Sequence, residues 1–128
     1  MPALQKELNI LIADDDSTTR YVLRLLLREH GHQVVAEAQD GEKAVELCGM
    51  FKPDIAFLDI DMPRMDGHSA AERIKQAAPG VGMIMVTNLP TLGNVQKALQ
   101  IGISGFVVKP FNAVKVVEAI DHCMKQKR

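Results

Sequence analysis

Four groups of polar residues in this chain each follow an apolar run, and their types suit one another. Asp14-Asp15-Asp16-Ser17 follows Leu8–Ala13, and Asp59-Ile60-Asp61-Met62-Pro63 follows Ile55–Leu58. Thr87-Asn88 follows Val81–Val86, and Lys109-Pro110 follows Gly105–Val108. Two carboxylates about 4 Å apart repel by roughly 4 kcal/mol at an effective dielectric of about 20. Several in one cleft take up protons unless a cation joins them. Carboxylate oxygens are hard ligands of the kind Mg²⁺ prefers, whereas soft ligands for zinc are too few. An acidic Mg²⁺ pocket beside one lysine and one threonine hydroxyl suits a phosphoryl group. Metal and ammonium would neutralise its oxygens while one Asp attacks phosphorus.

Taken singly, each acid could instead cap a helix or close a turn, as Ser17 or Asp16 is expected to do, and Lys109 could sit in solvent. The joint pattern carries the weight: acids after the first and third runs, a hydroxyl after the fourth, a lysine after the fifth.

The elements that must position these groups follow from the rhythm of the chain. Five apolar runs, the second being Val34–Ala36, alternate with amphipathic stretches. Several runs are apolar almost throughout, as strands buried on both faces of a parallel sheet must be. The first helix is expected to turn Val22, Leu23, Leu25, Leu26 and Leu27 inward and to stop at Gly31, a residue suited to a left-handed turn. The second opens at Asp40-Gly41 and ends by Lys52-Pro53; the third runs from Gly67 to Ala77 behind an Asp66 cap and is closed by Pro79-Gly80. A fourth follows Leu89-Pro90 and runs to about Gln100. The fifth begins near Asn112, with Val114, Val117, Ala119 and Ile120 on its inner face. Strict alternation predicts an α/β fold, a doubly wound five-stranded parallel sheet with helices on both faces and right-handed crossovers. Ligands of such sheets bind outside the carboxyl ends of the strands, where strand order reverses. All four polar groups are therefore expected at one edge.

Bulk properties exclude other classes. At 128 residues the chain is one domain's worth, read as a single domain over 1–128. A net charge of -1 gives no field pointing to direct nucleic-acid binding or an anionic membrane. Cys48 and Cys123 have no metal-like spacing and read as free thiols of a reducing compartment. Met1–Glu7 lacks the apolar core of a signal peptide, and no run approaches the roughly 20 residues that span a bilayer. The expectation is a cytoplasmic protein with no membrane insertion.

With these motifs in hand, the chain resembles the receiver domain of two-component response regulators from Asn9 to about Met124. The motifs that carry the likeness are Ile10–Ser17, Asp59–Gly67, Thr87 and Phe106–Phe111. With no effector domain after the fifth helix, it looks most like the stand-alone, chemotaxis-type regulators. The resemblance implies a signalling switch rather than an enzyme, one that catalyses only its own phosphorylation and slow self-dephosphorylation. It implies that Asp59 is the phosphoacceptor, charged by a sensor histidine kinase or a histidine phosphotransfer protein. It implies that Mg²⁺, with Mn²⁺ able to substitute, is held by Asp14, Asp15, Asp59 and the backbone carbonyl of Asp61. Thr87 and Lys109 are expected to contact the phosphoryl group, Phe106 to turn inward when Thr87 moves, and the Lys109–Pro110 bond to be cis. A downstream output protein would read the face made by the fourth helix, fifth strand and fifth helix, where Leu92, Val95, Leu99 and Ile103 could supply apolar contacts. Asn88 departs from the family, which usually has a small residue there, and is expected to modulate the rates of phosphorylation and self-hydrolysis.

Three other readings fit these residues less well. A Mg²⁺-dependent hydrolase of the haloacid dehalogenase type also has Asp-x-Asp after a strand. In that family a Thr or Ser typically follows closely, whereas here Met62-Pro63 follows Asp61 and the chain leaves no room for a cap domain. A flavodoxin-like FMN protein would need a phosphate loop where three acids stand instead. A receiver-like module that is not phosphorylated would have lost one of the key acids or the lysine, and none is missing.

Overall fold

The structure is a computed structural model and describes residues 7–127. Of the N-terminal stretch judged for a signal peptide, residues 1–6 lie outside the described residues, as does Arg128, so the expected 1–128 bounds are described only in part.

Strands β1 (Asn9–Ala13), β2 (Gln33–Ala38), β3 (Ile55–Asp59), β4 (Gly82–Thr87) and β5 (Gly105–Val108) alternate with helices α1 (Ser17–Glu29), α2 (Gly41–Phe51), α3 (Gly67–Ala77), α4 (Leu92–Ile101) and α5 (Ala113–Gln126). The strands form one parallel sheet in the order β2-β1-β3-β4-β5. Strand order therefore reverses between β1 and β3, where a doubly wound sheet opens its ligand crevice.

Side-chain alternation along the central strands divides the core into two layers. Ile10, Ile12, Ile55, Phe57, Ile84 and Val86 pack with Leu23 and Leu27 of α1 and Val116, Ile120 and Cys123 of α5. Leu11, Ala13, Ala56, Leu58, Met83 and Met85 pack with Ala44, Cys48, Ala71, Ile74 and Ala98 of the other three helices. Both faces of these strands are covered, which is why their sequences read as unbroken apolar runs.

Local chemistry sets the helix ends. Asp16, rather than Ser17, caps α1 by accepting from the Thr18 backbone N–H, and Asp40 and Asp66 cap α2 and α3 in the same way. Gly31 takes φ +84° beyond α1, as expected of its type. Two inner faces differ from expectation. Val22 and Leu25 are exposed, because the buried stripe of α1 is the i, i+4 pair Leu23 and Leu27 with Leu26 at its margin. Val114 is likewise exposed, since Val116, Ile120 and Cys123, spaced four and three apart, turn α5 toward the sheet. No helix among the described residues is long and apolar enough to cross a membrane.

Candidate functional site

The carboxyl ends of β1, β3, β4 and β5 bring most of the singled-out polar residues to one edge. Asp14 directly follows β1 and Asp59 ends the adjacent β3, and they are only 3% and 6% exposed. Asp15 lies on the exposed side of the same cluster, and one ligand oxygen from each of these three acids lies within 4.8 Å of the others. Lys109, one residue past β5, reaches across the crevice: its Nζ is 2.9 Å from Asp14 Oδ2 and 3.5 Å from Asp59 Oδ2. The Lys109–Pro110 peptide is cis.

The electrostatics follow from burial. Desolvation raises the Asp59 pKa first, and the Asp14 charge adds to it; Lys109 and the Asp61 backbone N–H pull the other way without cancelling these effects. The Asp59 carboxyl is pushed up to about 6. Burial alone would lower the Lys109 pKa, but the hydrogen bond and charge of Asp14, with the charge of Asp59, outweigh it, so the ammonium is held above its ordinary value. Two of the three clustered carboxylates, Asp14 and Asp59, thus share one ammonium. The donor set fits a hard divalent cation that takes oxygen ligands, and offers no thiolate or imidazole to a softer one.

The acidic turn is braced from below. Asp14 Oδ1 accepts from the Asp16 backbone N–H at 2.9 Å. Arg20, on the first turn of α1, donates from Nη1 to the Asp14 carbonyl at 2.6 Å and pairs through Nε with Glu37 of β2 at 3.2 Å. Arg24 binds the other Glu37 oxygen. Sequence reasoning missed Arg20 and Glu37, which stand 17 positions apart on different elements and form no local motif.

The remaining singled-out residues lie around this cluster. Thr87 closes β4, is 1% exposed, and accepts at its Oγ1 from the Leu89 backbone N–H at 2.9 Å. Its carbonyl accepts from the Lys109 backbone N–H at 2.8 Å, which fixes the two strand ends side by side. Asp61 is exposed just past β3, and its side chain is not part of the three-acid cluster. Asn88 is exposed and shares a depression with Lys109, Pro110 and Thr18. Phe106 is half-buried on β5 and lines a cleft between α4 and α5 with Val95, Leu99 and His122. Of the four apolar residues expected on that face, Leu92 and Leu99 are exposed, Val95 is half-buried, and Ile103 belongs to the core.

The family model described as response regulator receiver domain matches residues 10–121. The chemotaxis protein CheY of Bacillus subtilis is 41% identical over 112 residues, covering 88% of this chain and 93% of that protein. The transcriptional regulatory protein PdtaR of Mycobacterium tuberculosis is 39% identical over 114 residues, which are 88% of this chain and 54% of that protein. Among solved structures, a CheX–CheY–BeF3–Mg²⁺ complex from Borrelia burgdorferi contains a chain that superposes with a TM-score of 0.85 at 32% identity, over 88% of this chain and 85% of that one.

Proposed function

The chain belongs to the response regulator receiver domains of two-component signal transduction, and from that premise we propose that Asp59 accepts a phosphoryl group in a Mg²⁺-dependent reaction. Residues 1–128 then act as a single receiver, a signalling switch rather than a turnover enzyme. The observation that carries this reading is the Lys109 ammonium bridging Asp14 and Asp59 inside a cluster of three acids.

The donor is a phosphohistidine on a sensor histidine kinase or histidine phosphotransfer protein. An Asp59 carboxylate oxygen forms the new O–P bond as the N–P bond breaks, and the imidazole leaves with the electron pair and takes up a proton. Asp14, Asp15 and Asp59, with the Asp61 carbonyl, would hold Mg²⁺ (or Mn²⁺), which when bound would supply positive charge to the phosphoryl oxygens. Lys109 is already paired with Asp59 and turns its remaining N–H donors to the transferred group. Thr87 donates a hydrogen bond from its hydroxyl to a phosphoryl oxygen. Asn88, facing the same depression as Lys109, tunes access of water and small donors.

The output is a population shift. A phosphoryl group that bonds Thr87 in only one arrangement of its loop favours that arrangement, and Phe106 follows. The α4–β5–α5 face then presents Leu92 and Leu99 differently to a downstream protein. The complex of a similar chain with CheX, BeF3 and Mg²⁺ supports both the metal and a protein partner. The reaction is assigned to the cytoplasm, where such kinases present their phosphohistidine.

Intact-mass measurement after incubation with acetyl phosphate and Mg²⁺ tests the proposal. The wild type is expected to gain one phosphoryl mass and Asp59→Asn none. The same adduct on Asp59→Asn, or none on the wild type, would overturn it.

A further inference from the structure

His68 is a polar side chain in an apolar place. It sits in the first turn of α3, only 4% exposed, among the buried Gly67, Ala70 and Ala71. A ring nitrogen there costs free energy unless it finds a partner. Its Nε2 lies 3.2 Å from the Asn94 carbonyl on α4, which can only accept, so Nε2 carries the proton. The bond joins two helices across 26 positions of sequence.

Asn94 is also the next link toward the phosphorylation site. Its Nδ2 donates to the Leu89 carbonyl at 2.8 Å, which settles the orientation of the amide. The Leu89 backbone N–H in turn donates to Thr87 Oγ1 at 2.9 Å. Asn94 itself is held at its own N–H by the Thr91 hydroxyl that caps α4. A continuous series of hydrogen bonds therefore runs from His68 through Asn94 and Leu89 to the Thr87 hydroxyl.

We propose that His68 and Asn94 are positioning residues that hold Thr87 in its resting arrangement through Leu89, and so set how readily the phosphoryl-bound arrangement forms. The inference rests on the reading that Thr87 moves to bond the phosphoryl group. Moving the Thr87 hydroxyl pulls on the Leu89 N–H, and Leu89 cannot follow while Asn94 grips its carbonyl. His68 fixes Asn94 to α3, a helix whose Gly67, His68, Ala70, Ala71 and Ile74 are buried. Weakening any link lowers the cost of the move, and the affinity for a phosphoryl mimic rises by the same factor.

Calorimetric titration of beryllofluoride into the full chain at saturating Mg²⁺ tests this. Loss of one hydrogen bond corresponds to about three- to tenfold, so Asn94→Ala is expected to bind the mimic tighter by that factor. His68→Leu, which fills the space without a donor, is expected to tighten binding about two- to fivefold. His68→Gln can again donate to the Asn94 carbonyl and is expected to return toward the wild type. The double variant Asn94→Ala/His68→Leu should gain less than the product of the two, because both break the same series. A merely structural role would lower thermal stability and leave the affinity where it was. Unchanged or weaker binding by Asn94→Ala, or His68→Gln behaving as His68→Leu, would overturn the proposal. A wild type that does not bind the mimic at all would overturn the phosphoacceptor reading with it, so the two failures are distinguishable.

Discussion

Helices α3 and α4 are neighbours of similar length on the same face of the sheet, yet they are seated in opposite ways. Gly67, His68, Ala70, Ala71 and Ile74 of α3 are buried, and its start is locked to the end of β3 by the Gly67 N–H on the carbonyl of Ile60, the residue after Asp59, at 2.8 Å. In α4 only Ala98 is buried, while Leu92 and Leu99 are 72% and 67% exposed. One helix is part of the frame that holds Asp59, and the other rests on that frame through Ala98 with Leu92 and Leu99 outward. A switch needs both: chemistry needs fixed groups, and a moving readout needs an element whose displacement exposes little new surface. On the proposed function, this difference would let a shift at Thr87 reach the α4–β5–α5 face without unmaking the acidic site.

The largest effect should come from hollowing the anchored helix. Ile74 is fully buried in the α3 layer, and Ile74→Ala is expected to cost about 2–5 kcal/mol in urea unfolding. A cost below about 1 kcal/mol would mean that α3 is no better seated than α4.

Metal should act on the same anchored side, through Asp59. An aspartate whose pKa rises on folding lets the folded chain keep a proton that the unfolded chain has lost. Without metal this group therefore favours folding fully below its ordinary 3.8, and that contribution disappears as pH rises through about 6. Mg²⁺ must displace the proton, so its binding weakens in the reverse direction. A hundredfold excess over Kd is expected to add about 2.7 kcal/mol at pH 7.5. At pH 5 the same Mg²⁺ concentration should add clearly less. Thermal unfolding with and without Mg²⁺ at the two pH values checks the sign, and a larger Mg²⁺ effect at pH 5 would contradict it. Hydrogen exchange should slow around Asp59 and α3 and change least in α4.

Two glycines at the helix starts give a matched test. A Cβ on Gly67 would stand 2.3 Å from the Asp59 carbonyl oxygen, and the backbone there has nowhere to go. Gly67→Ala is expected to cost about 1–3 kcal/mol and to slow phosphorylation by acetyl phosphate, because the strand end carrying Asp59 must shift. A Cβ on Gly93 of α4 would meet nothing within 4 Å. Gly93→Ala should therefore stabilise the protein by up to about 1 kcal/mol, the ordinary helix preference. Equal effects of the two substitutions would erase the contrast.

Much of this frame is legible in the sequence because its signals are local. Unbroken apolar runs mark strands covered on both faces, Asp40 and Asp66 announce helix starts, and the ligand edge follows from where strands end. Asp14, Asp59 and Lys109 could therefore be placed together although Lys109 stands 95 positions from Asp14. What escapes is set by tertiary pairing. The turn of α1 that exposes Val22 and Leu25 depends on which two leucines meet the sheet, since five apolar residues compete for the inner side. Arg20 on the Asp14 carbonyl, Glu37 between two arginines, and His68 on Asn94 join residues with no shared motif or period.

The smallest expected effect lies at the exposed end of the contrast. Leu99 makes a large apolar surface on α4 that folding does not bury, so Leu99→Ala removes almost nothing from the core. Surface substitutions of this kind stay within about 0.5 kcal/mol, and alanine's helix preference over leucine is slight. Urea unfolding of Leu99→Ala should therefore overlay that of the wild type. A loss above about 2 kcal/mol would mean that α4 is packed as tightly as α3, and a helix so packed could not serve as the moving part of a switch.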